Sequence, residues 1–419
     1  MKTRALAVAL TCAILGMALL AIMPAAAQQT VPDLLHLVEP GDTWMALAWR
    51  FGVDEQTLRA ANPHPNAQAQ PAIGQTIVIP GPAERERLGV VVNSDHGGLL
   101  QLSAAARANP WALVLVNGLS NPYRPLLYRS ILLPDGTNPP KQFPPGISQL
   151  EVSRAPALPG QALAIRGLGQ PDGLSVARFA GGDMIVSSSG RHFVALSASG
   201  AFFEPGQYPL EVAVPGEPLW TQPWLVAPGQ WTFEEITYTG QAATIDSETI
   251  RQEGERLAAI WSQVTDQANW SSDFTEPLQD YLGYSSLYGA RRSYGGGPYN
   301  RYHEGLDFSA YGGTAVYAPA AGNVVLAERL AARGGAVIID HGLGVFSGYY
   351  HLSEVLAEAD QTVAAGDLIG RVGSSGLSTG NHLHWDLLVG GTWVNPAAWR
   401  EDHMACWLLE GLGTPCEAP

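Results

Sequence analysis

Two short stretches of this chain carry residue types that can do chemistry together: Tyr302-His303-Glu304-Gly305-Leu306-Asp307-Phe308 and, further along, His382-Leu383-His384. A histidine, a carboxylate and a second histidine are ligand types of a catalytic zinc site, which keeps a fourth coordination position for water. In a β-strand residues i and i+2 face the same way, so His382 and His384 project into one groove while Leu383 and Trp385 face the other side. His303, Asp307 and His384 would form a three-ligand open site from the nitrogen and oxygen donors that zinc accepts. His351, near the end of the apolar and aromatic run Val345 to Leu352, can reach a groove built by adjacent strands. Together with His382 it supplies what amide hydrolysis still lacks. One group must take the water proton and return it to the leaving amine, and one must hydrogen-bond the developing oxyanion. Imidazole, with an ordinary pKa of about 6.5, suits both tasks.

The elements around these residues are mainly β. The chain has 419 residues, 47 glycines and 31 prolines, with 46% hydrophobic and 15% charged content. That composition describes a globular, multidomain, turn-rich protein. Residues 269–400 are Gly-rich and strand-rich and hold five of the ten histidines. They are expected to form an antiparallel sheet. Residues 246–267 read as a helical connector, with Ile250, Leu257, Ile260, Trp261 and Val264 on one face. Residues 148–230 offer short alternating segments separated by Pro-Gly and Gly-Gly turns, the spacing of a β-sandwich-like domain. Residues 135–147, with Pro139-Pro140 and Pro144-Pro145, form a stiff Pro-rich linker. Residues 401–419 are a C-terminal tail carrying Cys406 and Cys416, which can pair in an oxidising compartment or remain free.

At the other end, Lys2 and Arg4 precede an apolar run from Ala5 to Ile22 and then Pro24-Ala25-Ala26-Ala27. This is a signal peptide over 1–27, cut after Ala27. The protein is therefore expected outside the cytoplasm: in the periplasm, in the cell wall or in the medium. The run becomes a membrane anchor only if it is left uncleaved. The formal charge is −15, and loss of the segment bearing Lys2 and Arg4 takes it to −17. A chain this acidic lacks the basic stripe of a nucleic-acid binder. With no Gly-rich phosphate loop either, neither nucleic acid nor nucleotide is expected as a partner.

Residues 36–80 begin His36-Leu37-Val38-Glu39-Pro40-Gly41-Asp42-Thr43 and end Gln75-Thr76-Ile77-Val78-Ile79-Pro80, with two short helical patterns between. This strand, helix, helix, strand order and both end motifs resemble a LysM domain. The resemblance implies binding to N-acetylglucosamine-containing glycan. Residues 88–134 repeat the pattern more weakly, with Gly97-Gly98-Leu99 where Gly-Asp-Thr belongs, as a degenerate LysM-like domain.

The C-terminal motifs, in order, are His303-x-x-x-Asp307, Gly322-Asn323-Val324-Val325, Ile338-Ile339-Asp340-His341-Gly342, Tyr350-His351-Leu352-Ser353, Gly366-Asp367-Leu368-Ile369-Gly370 and Gly376 through His384. Over Tyr302 to Trp399 they resemble the lysostaphin-type (LytM-like) zinc metalloendopeptidases of the peptidoglycan hydrolase class. The resemblance implies Zn²⁺ on His303, Asp307 and His384, catalysis by His351 and His382, and a structural role for His341. His382 is taken as the general base and His351 as oxyanion stabiliser or acid, with their exchange open. Arg292 or Tyr302 is a candidate contact for substrate carboxylates. The combined expectation is an exported zinc endopeptidase that hydrolyses peptide bonds in peptidoglycan cross-links or stem peptides and is targeted by LysM glycan binding. The alternative is an inactive LytM-type regulator that binds the wall and activates amidases.

Overall fold

The structure is a computed structural model describing residues 34–51, 53, 55–64, 66, 69–80, 90–93, 98–105, 110–116, 121–123, 130–133, 143–170, 173–237 and 244–417. The segment 1–27 expected as a signal peptide, residues 135–142 of the expected Pro-rich linker and the Gly97 position lie outside the described residues. Among the described residues no helix is long and apolar enough to cross a membrane.

In the first module, strand Leu34–Leu37 pairs antiparallel with Thr76–Ile79, and helices Trp44–Arg50 and Glu55–Ala61 lie between them. Val38, Trp44, Leu47, Leu58 and Ile77 form its small core. The turn at Gly41, with φ +83°, is closed by the buried Asp42 carboxylate, which accepts from the Glu39 N–H at 3.0 Å and lies 2.9 Å from His36 Nε2. The same order recurs next. Strand Val90–Asn93 pairs antiparallel with Ser130–Leu133, and helices Leu99–Ala105 and Pro110–Val116 stand between.

Two four-stranded sheets follow. One runs Gln149–Val152, Ala162–Leu168, His192–Ala198, Ile185–Ser189; the other runs Trp220–Val226, Gly206–Ala213, Val176–Phe179, Gly182–Asp183. Leu163, Ile165, Phe193 and Ala195 face Phe179, Leu210, Val212 and Trp224 across the sandwich. The alternate residues Ala162, Ala164, Val194 and Leu196 point out of the other face, where they meet Val345, Leu387, Val389 and Leu408 of the C-terminal half. Strand alternation normally leaves one face of an antiparallel sheet to water. Here both faces are apolar, so this sheet is buried twice. The first module also docks on the sandwich. Ile73 is fully buried and bridges Trp224, and the buried Gln222 amide bonds the carbonyls of Asp42 and Pro71, each at 3.2 Å.

The C-terminal half is built on an eight-stranded sheet whose main path runs Gly283–Ser286, Gly305–Ser309, His382–Val389, Val345–Leu352, Gly334–Asp340, Gly322–Leu330, Thr362–Val363, with Thr392–Val394 beside His382–Val389. Neighbouring strands are antiparallel throughout. Leu306, Phe308, Val337, Ile339, Leu383 and Trp385 make the core under one face.

Helix Ser247–Trp261 starts at Asp246, whose carboxylate accepts from the Thr249 N–H at 2.7 Å. It buries Leu257 and Trp261, but Ile250 is 38% exposed, and the helix ends at Trp261 rather than at 267, leaving Val264 beyond it and 49% exposed. Glu253 is buried on the packed side instead, because its carboxylate accepts the Ala332 and Arg333 N–H groups at 2.8 and 3.0 Å. Residues 401–419 are more than a tail. Met404–Gly411 is a helix that buries Met404, Ala405, Leu408 and Leu409 against Trp270, and Cys406 is disulfide-bonded to Cys416.

Candidate metal centre

Register builds the site. Ser286 lies opposite Asp307, Asp307 opposite His384, and His384 opposite Tyr350, so four adjacent strands each place one residue in a single row. Directly paired residues of an antiparallel sheet share a face. His303 enters from just before the Gly305–Ser309 strand. Its backbone is clamped by reciprocal bonds, His303 N–H to the Ala290 carbonyl and Gly289 N–H to the His303 carbonyl, both 2.8 Å. Gly305 lets the parts close up, since a Cβ there would meet His384 Nε2 at 2.7 Å and the Trp385 carbonyl at 2.5 Å.

Three donor atoms converge. His303 Nε2 is 3.0 Å from Asp307 Oδ1 and 3.0 Å from His384 Nδ1, and His384 Nδ1 is 2.8 Å from Asp307 Oδ1. His303 is fully buried and Asp307 is 7% exposed. Bonds of 2.0–2.1 Å about a tetrahedral ion separate its ligands by roughly 3.3 Å, so these residues fit a zinc ion with shifts of a few tenths of an ångström. Their protonation fits as well. Burial pushes the His384 imidazole down to about 3 despite the opposing pull of Asp307. Burial also opposes charge on Asp307, but the adjacent His303 and His384 hold its carboxyl well below the usual range. Among the described residues this trio is the one cluster of histidines, cysteines and carboxylates with metal-ligand spacing.

His351 and His382 stand beside it with ring centroids 4.7 Å apart, and His382 Nε2 is 4.0 Å from Asp307 Oδ1. His351 adopts φ +62°, a left-handed conformation that costs a β-carbon-bearing residue on the order of 1 kcal/mol or more. That turn directs the imidazole to the cleft, and its Nδ1 lies 2.7 Å from the Ser375 carbonyl. His382 Nδ1 lies 2.9 Å from the Gly380 carbonyl. A carbonyl only accepts, so both Nδ1 atoms carry hydrogen and both Nε2 atoms present lone pairs in the neutral rings. Burial, followed by the neighbouring His382, pushes His351 down to about 4.

The cleft holds about 400 Å³ and is walled by Ile250, Tyr294, Arg301, Arg333, Tyr350 and Leu377 around the histidines. The Arg333 guanidinium sits 5.1 Å over the Tyr350 ring and 3.4 Å from Glu304. Arg292 and Tyr302, the two candidate substrate contacts, both line this cleft, and the Arg292 guanidinium is held by Glu234 at 3.1 Å and by Asp307 Oδ2 at 3.5 Å. His341 lies away from the cleft and is fully buried. Its Nδ1–H donates to the Ala321 carbonyl at 2.7 Å, and its Nε2 is 2.7 Å from Ser347 Oγ. Sequence reasoning passed over Glu253, whose sign is a carboxylate interrupting an apolar helical stripe, and Ser286, which left no sign beyond its neighbourhood.

Residues 301–396 match Peptidase family M23, and residues 36–80 match the LysM domain. The chain carries an M23 metallopeptidase domain and a LysM domain. An uncharacterized metalloprotease of Haemophilus influenzae is 40% identical over 121 residues, 29% of this chain and 26% of the relative. The DD-carboxypeptidase/endopeptidase Mpg of Neisseria meningitidis is 43% identical over 98 residues, 23% of each chain. The chain thus spans about a quarter of the length of these relatives. The catalytic domain of the antimicrobial peptidase lysostaphin from Staphylococcus simulans is 29% identical over 29% of this chain and 92% of that one, with a TM-score of 0.26.

Proposed function

We propose that this protein is an exported, zinc-dependent endopeptidase that hydrolyses peptide bonds in peptidoglycan cross-links or stem peptides, held at the wall by the glycan affinity of its LysM domain. The convergence of His303, Asp307 and His384 beside two imidazoles with free Nε2 atoms carries the reading. Similarity to the Neisseria meningitidis DD-carboxypeptidase/endopeptidase supports a DD-type bond as the target.

His303 Nε2, His384 Nδ1 and Asp307 Oδ1 would hold the ion. Zinc, when bound, supplies a Lewis acid that polarises the scissile carbonyl and makes water a better nucleophile at neutral pH. The proton acceptor must bear positive charge for part of the cycle. His382, with 14% of its side chain exposed at the cleft rim, keeps the solvent contact that a cation needs. His351 is buried and held neutral. His382 therefore takes the water proton and returns it to the leaving amine. His351, with Nδ1–H committed to Ser375, accepts a hydrogen bond through Nε2 and orients the attacking water. Neutral His351 is for this reason a poorer oxyanion donor than its position alone implies.

The purified protein should hold about one zinc per chain. Release of soluble peptides from isolated cell walls should cease with a chelator and with His384→Ala. Undiminished release after both would reject the mechanism. For targeting, deletion of residues 36–134 should reduce co-sedimentation with walls, and unchanged sedimentation would reject LysM targeting.

A further inference from the structure

Glu234 has no part in the scheme above, yet it lies one hydroxyl away from a ligand. It belongs to strand Phe233–Ile236, outside the 301–396 family match, which runs parallel to Arg291–Tyr294 with Glu234 opposite Arg292. Its two oxygens are 2.7 and 2.9 Å from Ser286 Oγ. Ser286 Oγ is 2.9 Å from His303 Nδ1 and receives Arg292 Nη2 at 3.0 Å. The Leu287 carbonyl lies 3.0 Å from the same His303 Nδ1.

Proton counting leaves one arrangement. An ionised carboxylate only accepts, and a hydroxyl has one proton to give. Ser286 O–H therefore donates to Glu234, which leaves the Ser286 oxygen to accept from Arg292 and to share the His303 Nδ1–H with the Leu287 carbonyl. His303 Nε2 is then a lone pair aimed at His384 and Asp307. The Leu287 carbonyl, which only accepts, calls for the same Nδ1–H; without Glu234 as its acceptor, the Ser286 proton is free to turn toward Nδ1 and oppose that tautomer. Glu234 also holds Arg292 so that its guanidinium covers Asp307 Oδ2, leaving Oδ1 as the oxygen shared with both histidines.

We propose that Glu234, acting through Ser286 and Arg292, is a positioning residue that sets the His303 tautomer and the single-oxygen presentation of Asp307. The proposal rests on the metal-site reading. It makes the centre depend on a strand contributed from before the helical connector. Groups that orient metal ligands typically contribute a factor of 10–100 in metal affinity.

Zinc affinity of the full chain, measured by competition with a chromogenic chelator, tests it. Glu234→Gln should weaken zinc roughly 10–100-fold and alter the visible spectrum of the cobalt(II)-loaded protein. Ser286→Ala should weaken zinc as well, and the Glu234→Gln/Ser286→Ala double variant should lose much less than the product of the two, because both act on one hydrogen bond. Thermal unfolding of the metal-free proteins separates local from global effects. Should Glu234→Gln not fold, Ser286→Ala carries the affinity test alone. Affinity and cobalt spectra unchanged in the folded variants, or a fully multiplicative double variant, would overturn the proposal. If the wild-type chain itself binds no zinc, the metal-site reading fails instead.

Discussion

His341 lies just before strand Val345–Leu352 and His351 near its end, and both are buried; burial depresses each imidazole to about 4. They differ in how their nitrogens are spent. His341 commits both, one to the Ala321 carbonyl and one to Ser347 Oγ, which in turn lies 2.7 Å from the Tyr349 hydroxyl. His351 commits one to the Ser375 carbonyl and faces His382 and the cleft with the other. A low pKa therefore does not mark function in this fold. An imidazole with an unspent nitrogen beside a converging set of ligands does.

That contrast can be broken by substitution, with the largest effect expected at the cleft. His382→Ala should lower kcat by about 10²–10⁴-fold, the range for loss of a general acid–base group, while zinc content stays near one per chain. A fall below tenfold would remove His382 from proton transfer. His351→Ala should lower kcat in the same range, again with zinc content near one per chain. A kcat within tenfold of wild type in steady-state kinetics would remove His351 from orienting the attacking water.

His341→Ala should act on stability instead, costing about 2–4 kcal/mol for the unpaired polar groups and the space left behind. Activity per folded molecule should be near wild type. Denaturant titration with active-site counting would contradict this if kcat fell tenfold at full folding.

The smallest effect is a pH slope. The His341 imidazole, at about 6.5 unfolded, is pushed to about 4 in the fold, so its stabilising contribution is complete above pH 6.5. As pH falls toward 4, the unfolded chain takes up a proton that the native state refuses, and stability drops by up to about 3 kcal/mol. His341→Gln should flatten unfolding free energy against pH between 6.5 and 4. An unchanged slope would show that other groups set the acid limit.

Much of this was legible beforehand. Alternation alone put His382 and His384 on one side of a strand, and Gly41 with Ile77 and Ile79 outlined the first module. The helix was legible in its start but not in its end, which falls at Trp261 rather than 267, nor in its packed face. Periodicity assigns burial to apolar side chains, whereas Glu253 is buried because two loop amides from 332 and 333 need an acceptor. The C-terminal residues read as a tail when only Cys406 and Cys416 are weighed, although Met404, Ala405, Leu408 and Leu409 are apolar. They pack because the sandwich presents a second apolar face to cover.

By itself the sequence determined the candidate ligand types, the shared side of His382 and His384 and the order of the modules, since these depend on residue identity and local period. Only the tertiary structure decided that Ser286, Asp307, His384 and Tyr350 fall in one row. It likewise decided that Glu234 reaches His303 through Ser286, and that His351 keeps a nitrogen free where His341 does not. Register between strands distant in sequence is fixed by which apolar faces must be buried together and by which backbone groups must pair, and no local pattern encodes either.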